Sequence, residues 1–354
     1  MTGVAIFLIC LSGAIMAFED ELDVLLNPAL FKVSPGETRK PIAEIAKAAL
    51  AVHPEEPLIM IVLPASVSSS FRVYTRPKKG LRSIFVDPYT GAILGERPQA
   101  TLLFQNHQLH TRLLSGRTGK TVVAIATMVT VFLTLSGIYL WWPYWRIAIK
   151  WRASARRVHF DLHNSVGILS AAFILVLSVT GLIISYEDKL FPMVYRWTKT
   201  QPPPNNLVST PLQGVTPIAA ERAVAIAAAF MPGAAPHNLN IPVGDKATYR
   251  VGMRFPEDLT PGGRSWVTID RFSGKVLVAQ NSRTASAGAK FGIINRALHT
   301  GDIFGIPSKI VASLSCICVL VLAITGVYLW WKKRRRIGSR PLVPAEDAVS
   351  ANVD

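Results

Sequence analysis

Ser136-Gly137-Ile138-Tyr139-Leu140-Trp141-Trp142 and Thr325-Gly326-Val327-Tyr328-Leu329-Trp330-Trp331 are one pattern written twice, at an offset of 189 residues. Each closes an uncharged apolar run, Val122 to Trp142 and Ile310 to Trp331. At 1.5 Å of rise per residue both runs are long enough to cross about 30 Å of hydrocarbon as helices. Val166 to Tyr186 is a third such run. Met1 to Phe18 is a fourth; with no charged flank and no A-x-A cleavage site it reads as a shortened first span, not as a signal peptide.

The same offset carries His110 onto His299, Gly116 onto Gly305 and Lys120 onto Lys309. Upstream, Ser12-Gly13 with Phe18-Glu19-Asp20 recurs at an offset of 168 as Thr180-Gly181 with Tyr186-Glu187-Asp188, so the first span copies the third. Between the spans, Asp87-Pro88-Tyr89-Thr90-Gly91-Ala92-Ile93-Leu94 recurs as Asp270-Arg271-Phe272-Ser273-Gly274-Lys275-Val276-Leu277. The expectation is two copies of a unit made of span, outer domain and span. A unit that crosses twice keeps its topology when repeated, so the copies should be parallel, related by a pseudo-two-fold axis along the membrane normal.

Composition agrees with a membrane protein: of 354 residues, half are apolar and only 17% charged. The net charge of +16 does not suggest nucleic acid, because the basic residues cluster beside the apolar runs. Arg146, Lys150, Arg152, Arg156 and Arg157 lie between the second and third runs, and Lys332, Lys333, Arg334, Arg335, Arg336 and Arg340 follow the last. By the positive-inside rule these segments and both termini are cytoplasmic, the two long polar segments lie outside, and the Trp doublets anchor the inner interface. The expected division is a first span 1–18, an outer domain 19–105, a lead-in 106–121 with His110, a span 122–142 and a basic loop 143–165. It continues with a span 166–186, a second outer domain 187–290, a lead-in 291–309 with His299, a span 310–331 and a basic tail 332–354.

Each outer segment reads as a helix followed by strands. The first has a helix over Pro41 to Val52, strands over Leu58 to Leu63, Phe71 to Thr75 and Ser83 to Val86, and the turn Asp87 to Gly91. The second has a helix over Pro217 to Phe230, strands over Tyr249 to Phe255 and Trp266 to Ile269, and the turn Asp270 to Gly274. Pro202-Pro203-Pro204 and Glu257 to Arg264 read as linkers or loops. Cys10, Cys316 and Cys318 all fall in apolar runs and read as packing residues, leaving no cysteine-based zinc or iron–sulfur site.

The repeat also sorts the seven histidines. His53 and His237 lie in turns or Pro-flanked loops, and the counterpart of His107 is Arg296. His110 and His299 occupy equivalent places, so an axis along the normal sets them at equal depth. If both face the axis, two neutral imidazoles can ligate one planar iron macrocycle from opposite sides, as in bis-His haem b. Zinc would need more ligands than recur here. The alternative is that each ring caps or packs its own segment. His159 and His163, four apart on one helical face, precede the third span on the cytoplasmic side. At most one of them suits a given iron, and the symmetry mate of His163 falls before residue 1.

These residues resemble the PepSY-associated transmembrane family, which includes iron-regulated membrane proteins and inner-membrane siderophore reductases. The resemblance covers nearly the whole chain. It rests on the module ends Val86-Asp87-Pro88-Tyr89-Thr90-Gly91 and Ile269-Asp270-Arg271-Phe272-Ser273-Gly274, on Asp161-Leu162-His163, and on Leu298-His299-Thr300-Gly301-Asp302-Ile303-Phe304-Gly305-Ile306-Pro307. It implies a bacterial inner-membrane protein with four transmembrane helices in two parallel repeats, each repeat carrying a small periplasmic α+β PepSY-like domain. In the reductase branch it further implies one or two haem b groups held by histidines near helix ends. The matching positions are His110 and His299 outside and His163, with His159 beside it, inside. The chain departs from the family in lacking a basic, His-containing lead to the first span.

The expected activity is electron transfer to a periplasmic ferric siderophore or other ferric chelate. One-electron reduction weakens the hold of oxygen donors on iron. Arg112, Arg117, Lys120, Arg296 and Lys309 are candidate contacts for haem propionates or an anionic chelate, or else for lipid headgroups. The cytoplasmic segments are too short to fold a flavin or nicotinamide domain, so electrons would come from a quinol or a separate reductase. A different class of function is a non-enzymatic scaffold whose PepSY domains bind or inhibit periplasmic partners. A transporter is a weaker reading, because the spans contain no charge.

Overall fold

The computed structural model of the chain describes residues 2–143, 145–204, 206–211 and 214–338. The expected basic tail beyond residue 338, Arg340 included, lies outside the described residues. In chain order the elements are α1 (Thr2–Met16), α2 (Glu19–Leu26), α3 (Pro28–Phe31), α4 (Ile42–Val52), β1 (Leu58–Val62), β2 (Phe71–Thr75), β3 (Arg82–Val86), β4 (Ile93–Pro98), α5 (Leu102–Arg112) and α6 (Gly116–Trp141). They continue as α7 (Ala155–Ser185), α8 (Glu187–Trp197), α9 (Ala220–Phe230), β5 (Ala235–Asn240), β6 (Tyr249–Arg254), β7 (Ser265–Ile269), β8 (Val276–Gln280), α10 (Ala287–Thr300) and α11 (Ile306–Gly338).

Among the described residues three helices, α6, α7 and α11, are long and apolar enough to cross a membrane. α1 has 15 residues, about 22 Å of rise, and bends by 63° into α2; the bent pair counts as a fourth span if taken together. These helices carry large apolar residues on the outside and mostly small residues within. Phe132, Leu133 and Leu140 on α6 and Leu314 and Val327 on α11 are exposed, whereas Ser12, Ser170, Ser178, Thr180, Ser315 and Thr325 are buried between helices. That distribution suits a lipid surround, where small hydroxyl residues let helices approach and large apolar ones face the acyl chains. The buried hydroxyls return their protons to their own helix, as Thr325 does to Val321 O at 2.8 Å and Ser315 to Val311 O at 2.6 Å.

The eight strands among the described residues form one antiparallel sheet in the order β4-β3-β2-β1-β5-β6-β7-β8. The order is symmetric about the β1–β5 pair, whose central register is Ile61 opposite Leu239. The sequence reading gave two separate modules; the structure instead continues one into the other through that pair. It also adds β4, β5 and β8, which the strand reading missed. β5 begins Ala235-Pro236 and β4 contains Gly95 and Pro98, residues that argue against a strand. The second helix starts at Ala220, not Pro217, because the Ile218 amide is already bonded to Arg271 O.

One face of the sheet carries α4 and α9. Ile42, Ile45 and Ala49 recur at helical spacing on α4 and close over Ile61, Val73, Ile84 and Val86. Ala223 and Ala227 on α9 close over Leu239, Val251, Met253, Val267 and Ile269. The turns after β3 and β7 form for the same local reason in both halves. The Asp87 carboxylate accepts from the amides of Tyr89 and Thr90, and the Asp270 carboxylate from those of Phe272 and Ser273, before a left-handed glycine reverses the chain.

Candidate functional site

His110 lies in the last turn of α5 and His299 in the last turn of α10. Neither helix runs on into the span that follows it. Leu113 and Leu114 are left-handed after α5 and Gly301 is left-handed after α10, so each histidine sits on a short helix folded back against the spans. α5 packs on α1 and α6, and α10 packs on α7. The two rings meet with centres 6.2 Å apart and planes tilted by 45°.

Each ring is held by the same set of groups. The Nδ1 of His110 is 2.9 Å from Ile9 O and that of His299 is 3.0 Å from Leu177 O. A carbonyl only accepts, so both Nδ1 atoms carry the proton and both Nε2 atoms present a lone pair. The Ser12 hydroxyl lies 3.4 Å from one Nδ1 and the Thr180 hydroxyl 3.2 Å from the other. Asn106 donates to Ser12 O at 3.0 Å, and Asn295 donates to Thr180 O at 3.3 Å. Beside each hydroxyl residue is a glycine against which the ring packs closely. A Cβ on Gly13 would stand 2.9 Å from His110 Cε1, and one on Gly181 would stand 2.7 Å from His299 Cε1.

Burial lowers the pKa of His110, and the bond to Ile9 O only partly offsets it. Burial lowers His299 further, aided by the neighbouring His110, to about 4. Both rings are therefore neutral at physiological pH, the form that binds a metal. Among the described residues no third His, Cys, Asp or Glu ligand atom joins this pair. Two neutral imidazoles with their lone pairs free are the donor set of a bis-His haem and too few for a structural zinc ion.

His163 stands alone. It lies 14 residues before Leu177 on α7, about 21 Å from the first pair along the helix. Its Nδ1 is 2.9 Å from Thr325 Oγ1, and a Cβ on Gly326 would lie 3.5 Å from its Cε1. Because the Thr325 hydroxyl donates to Val321 O, its oxygen accepts from His163, giving the same tautomer as in the other two. His159 turns away: its Nδ1 bonds Ala155 O at 2.7 Å, and its ring stacks on Tyr328 at 4.0 Å. Ser136-Gly137, the counterpart of Thr325-Gly326, has no side chain against it, and a Cβ on Gly137 would meet nothing within 4 Å.

The cations near the pair divide. Lys309 is buried and bonded to Glu21 at 2.7 Å and to Asp302 at 3.5 Å, and Arg296 pairs with Glu187 at 3.4 Å. Both are neutralised within the protein. Arg112, Arg117 and Lys120 are exposed and make no ion pair among the described residues. Sequence reasoning missed the Ser/Thr-Gly seats as histidine partners, although it quoted all of them as repeat markers. It also treated His53 as a plain turn residue. His53 lies within 4.8 Å of Glu55 and Glu56, but Arg82 already binds Glu56.

The pattern of one protein family, described as the PepSY-associated TM region, matches residues 1–333. The chain belongs to that family and is a membrane protein by its apolar helices. No curated protein matches it.

Proposed function

We propose that this member of the PepSY-associated family is a haem-containing reductase of the bacterial inner membrane. On this reading it passes electrons to a periplasmic ferric siderophore or similar ferric chelate. The observation that carries the reading is the matched seating of His110 and His299, with both Nδ1 protons given to backbone carbonyls and both Nε2 lone pairs free. A carbonyl that fixes the tautomer and aims the ring is the usual outer-shell partner of a metal-ligating histidine.

Haem b held here would supply a one-electron redox centre. The chain's own part is to fix two neutral imidazoles, to keep charged side chains off the rings, and to bring the pair close to the outer rim of the helices. His163, seated on Thr325 and Gly326, is the candidate ligand of a second haem nearer the basic loop. The two halves act as parallel repeats about an axis through the Ile61–Leu239 pair and the His110–His299 pair. Their fused sheet is periplasmic, and the loop with Arg146 to Arg157 and both termini are cytoplasmic. The donor is then a quinol or a separate reductase.

The test is anaerobic mixing of pre-reduced protein with a ferric trihydroxamate chelate and a ferrous-iron indicator. Oxidation of the protein should match indicator formation at two equivalents of ferrous iron per chain if two haems are bound and one if only the outer haem is. A reduced protein that stays reduced while the chelate stays ferric contradicts the proposal.

A further inference from the structure

The sheet has a second face, and it is open at its centre. Residues directly opposite one another in a ladder share a face. Arg72, Val62, Asn238, Gly252 and Trp266 therefore form one row, and Tyr74, Met60, Asn240 and Arg250 form the next, all opposite the buried layer under α4 and α9. The outer parts of this face are buried, Phe85 beneath Phe31 of α3 and Thr268 beside Arg250.

This face looks toward the membrane helices. Arg97, on the same face of β4, pairs with Asp23 of α2 at 2.6 Å, and Glu21 of the same short helix pairs with Lys309 at the start of α11. α2 thus ties the open face to the rim from which α5 and α10 carry the histidines. A polar cavity of about 290 Å³ opens between the two, lined by Arg254, Asp258, Asp302, Lys309 and Glu21.

Arg72 and Arg250 stand on the open face at positions related by the symmetry of the β1–β5 register. Neither makes an ion pair among the described residues. Both are stiffened by aromatic rings: Arg72 lies over Tyr74 and Phe31 at 5.6 and 5.8 Å, and Arg250 lies 3.9 Å over Trp266. Three strand spacings and two residues separate them, about 16 Å corner to corner. Between them lie Met60, Val62, Asn238 and Asn240. Next to this face Arg264 keeps a buried Nε without a partner. Two unpaired, pre-oriented guanidinium groups across a floor of amides and apolar groups is an arrangement complementary to a broad anion with oxygen acceptors at its edge.

We infer that the membrane-facing sheet surface between Arg72 and Arg250 is the docking site of an anionic, oxygen-donor metal chelate, held above the His110–His299 pair. The inference rests on the proposed reductase function for the identity of the occupant. It moves the anion contacts away from Arg296 and Lys309, which the protein neutralises itself.

The test measures binding, so that it does not depend on electron transfer. The full chain in detergent is titrated calorimetrically with the redox-inert gallium complex of a tricatecholate, a trianion, and with that of a trihydroxamate, which is neutral. The trianion should bind at least tenfold more tightly than the neutral chelate. Arg72→Gln with Arg250→Gln should weaken it at least tenfold, and Arg72→Lys with Arg250→Lys should restore part of the loss. Thermal melting of each variant should match wild type, since neither guanidinium makes a hydrogen bond or ion pair among the described residues. Equal affinity for the two chelates, no trianion binding to wild type, wild-type affinity in the double Gln variant, or displacement by micellar anionic phospholipid would each overturn the inference. Gallium binding without haem would leave the docking site standing and the reductase reading refuted.

Discussion

His110 and His299 come from helices almost two hundred residues apart, yet their rings lie 6.2 Å centre to centre, each with its Nδ1 on a backbone carbonyl of the neighbouring apolar helix. Groups related by the two sequence offsets build both seats: Ile9 and Leu177, Ser12 and Thr180, Gly13 and Gly181, Asn106 and Asn295. The matched seats hold both rings in the same tautomer.

Gly13→Ala and Gly181→Ala test the seats without touching a ligand. In a helix interior alanine is favoured over glycine by about 0.5–1 kcal/mol, so the backbone itself accepts the change. The new Cβ would fall 2.9 or 2.7 Å from the imidazole and must push it aside. Haem content should drop severalfold in either variant while far-ultraviolet circular dichroism is unchanged. Full haem content in both would show that the glycines serve helix packing alone.

Protonation of His299 supplies a pH signature. Its folded pKa of about 4 lies below the value of about 6.5 for a free imidazole, so the unfolded chain binds more protons across that interval. The stability of the haem-free protein should therefore be full above pH 6.5 and fall as the pH drops toward 4. His299→Gln should flatten that part of the melting curve. An unchanged slope would place the proton uptake elsewhere.

The β1–β5 joint should carry much of the outer domain's stability. Ile61 and Leu239 are both fully buried and sit opposite each other across it. Leu239→Ala should cost about 3 kcal/mol. Ile61→Ala should cost a similar amount, and the double variant about the sum, because the two side chains belong to separate buried clusters on either side of the joint. Denaturant melting read by tryptophan fluorescence measures this. Two resolved transitions would mean that the two halves melt separately.

Much of this was legible in the sequence because repetition is visible without any knowledge of the fold. The spans, the pairing of His110 with His299 and the Asp87 and Asp270 turns all follow from periodicity and offset. Fusion of the two modules was not legible: β5 opens with Ala235-Pro236 and carries Asn238 and Asn240 at positions that face the open side, so it lacks the apolar alternation of its neighbours. Nor did spacing reveal that Lys309 is consumed by Glu21 and Asp302, since Glu21 is brought to it by the bend after α1. The histidine seats were within reach. Ser/Thr-Gly occurs at the matching point of every apolar run, and small residues beneath a ring are the signal that was read only as repetition.

The most direct test of the central claim is a reduced-minus-oxidised optical spectrum of the purified protein, with haem quantified per chain, on wild type, His110→Ala and His299→Ala. The account predicts a bis-His b-type spectrum in wild type and loss of one haem equivalent, or a shifted spectrum, in each variant. A well-folded wild-type protein that remains haem-free after expression with ample haem would contradict it, leaving the outer domains as a binding scaffold.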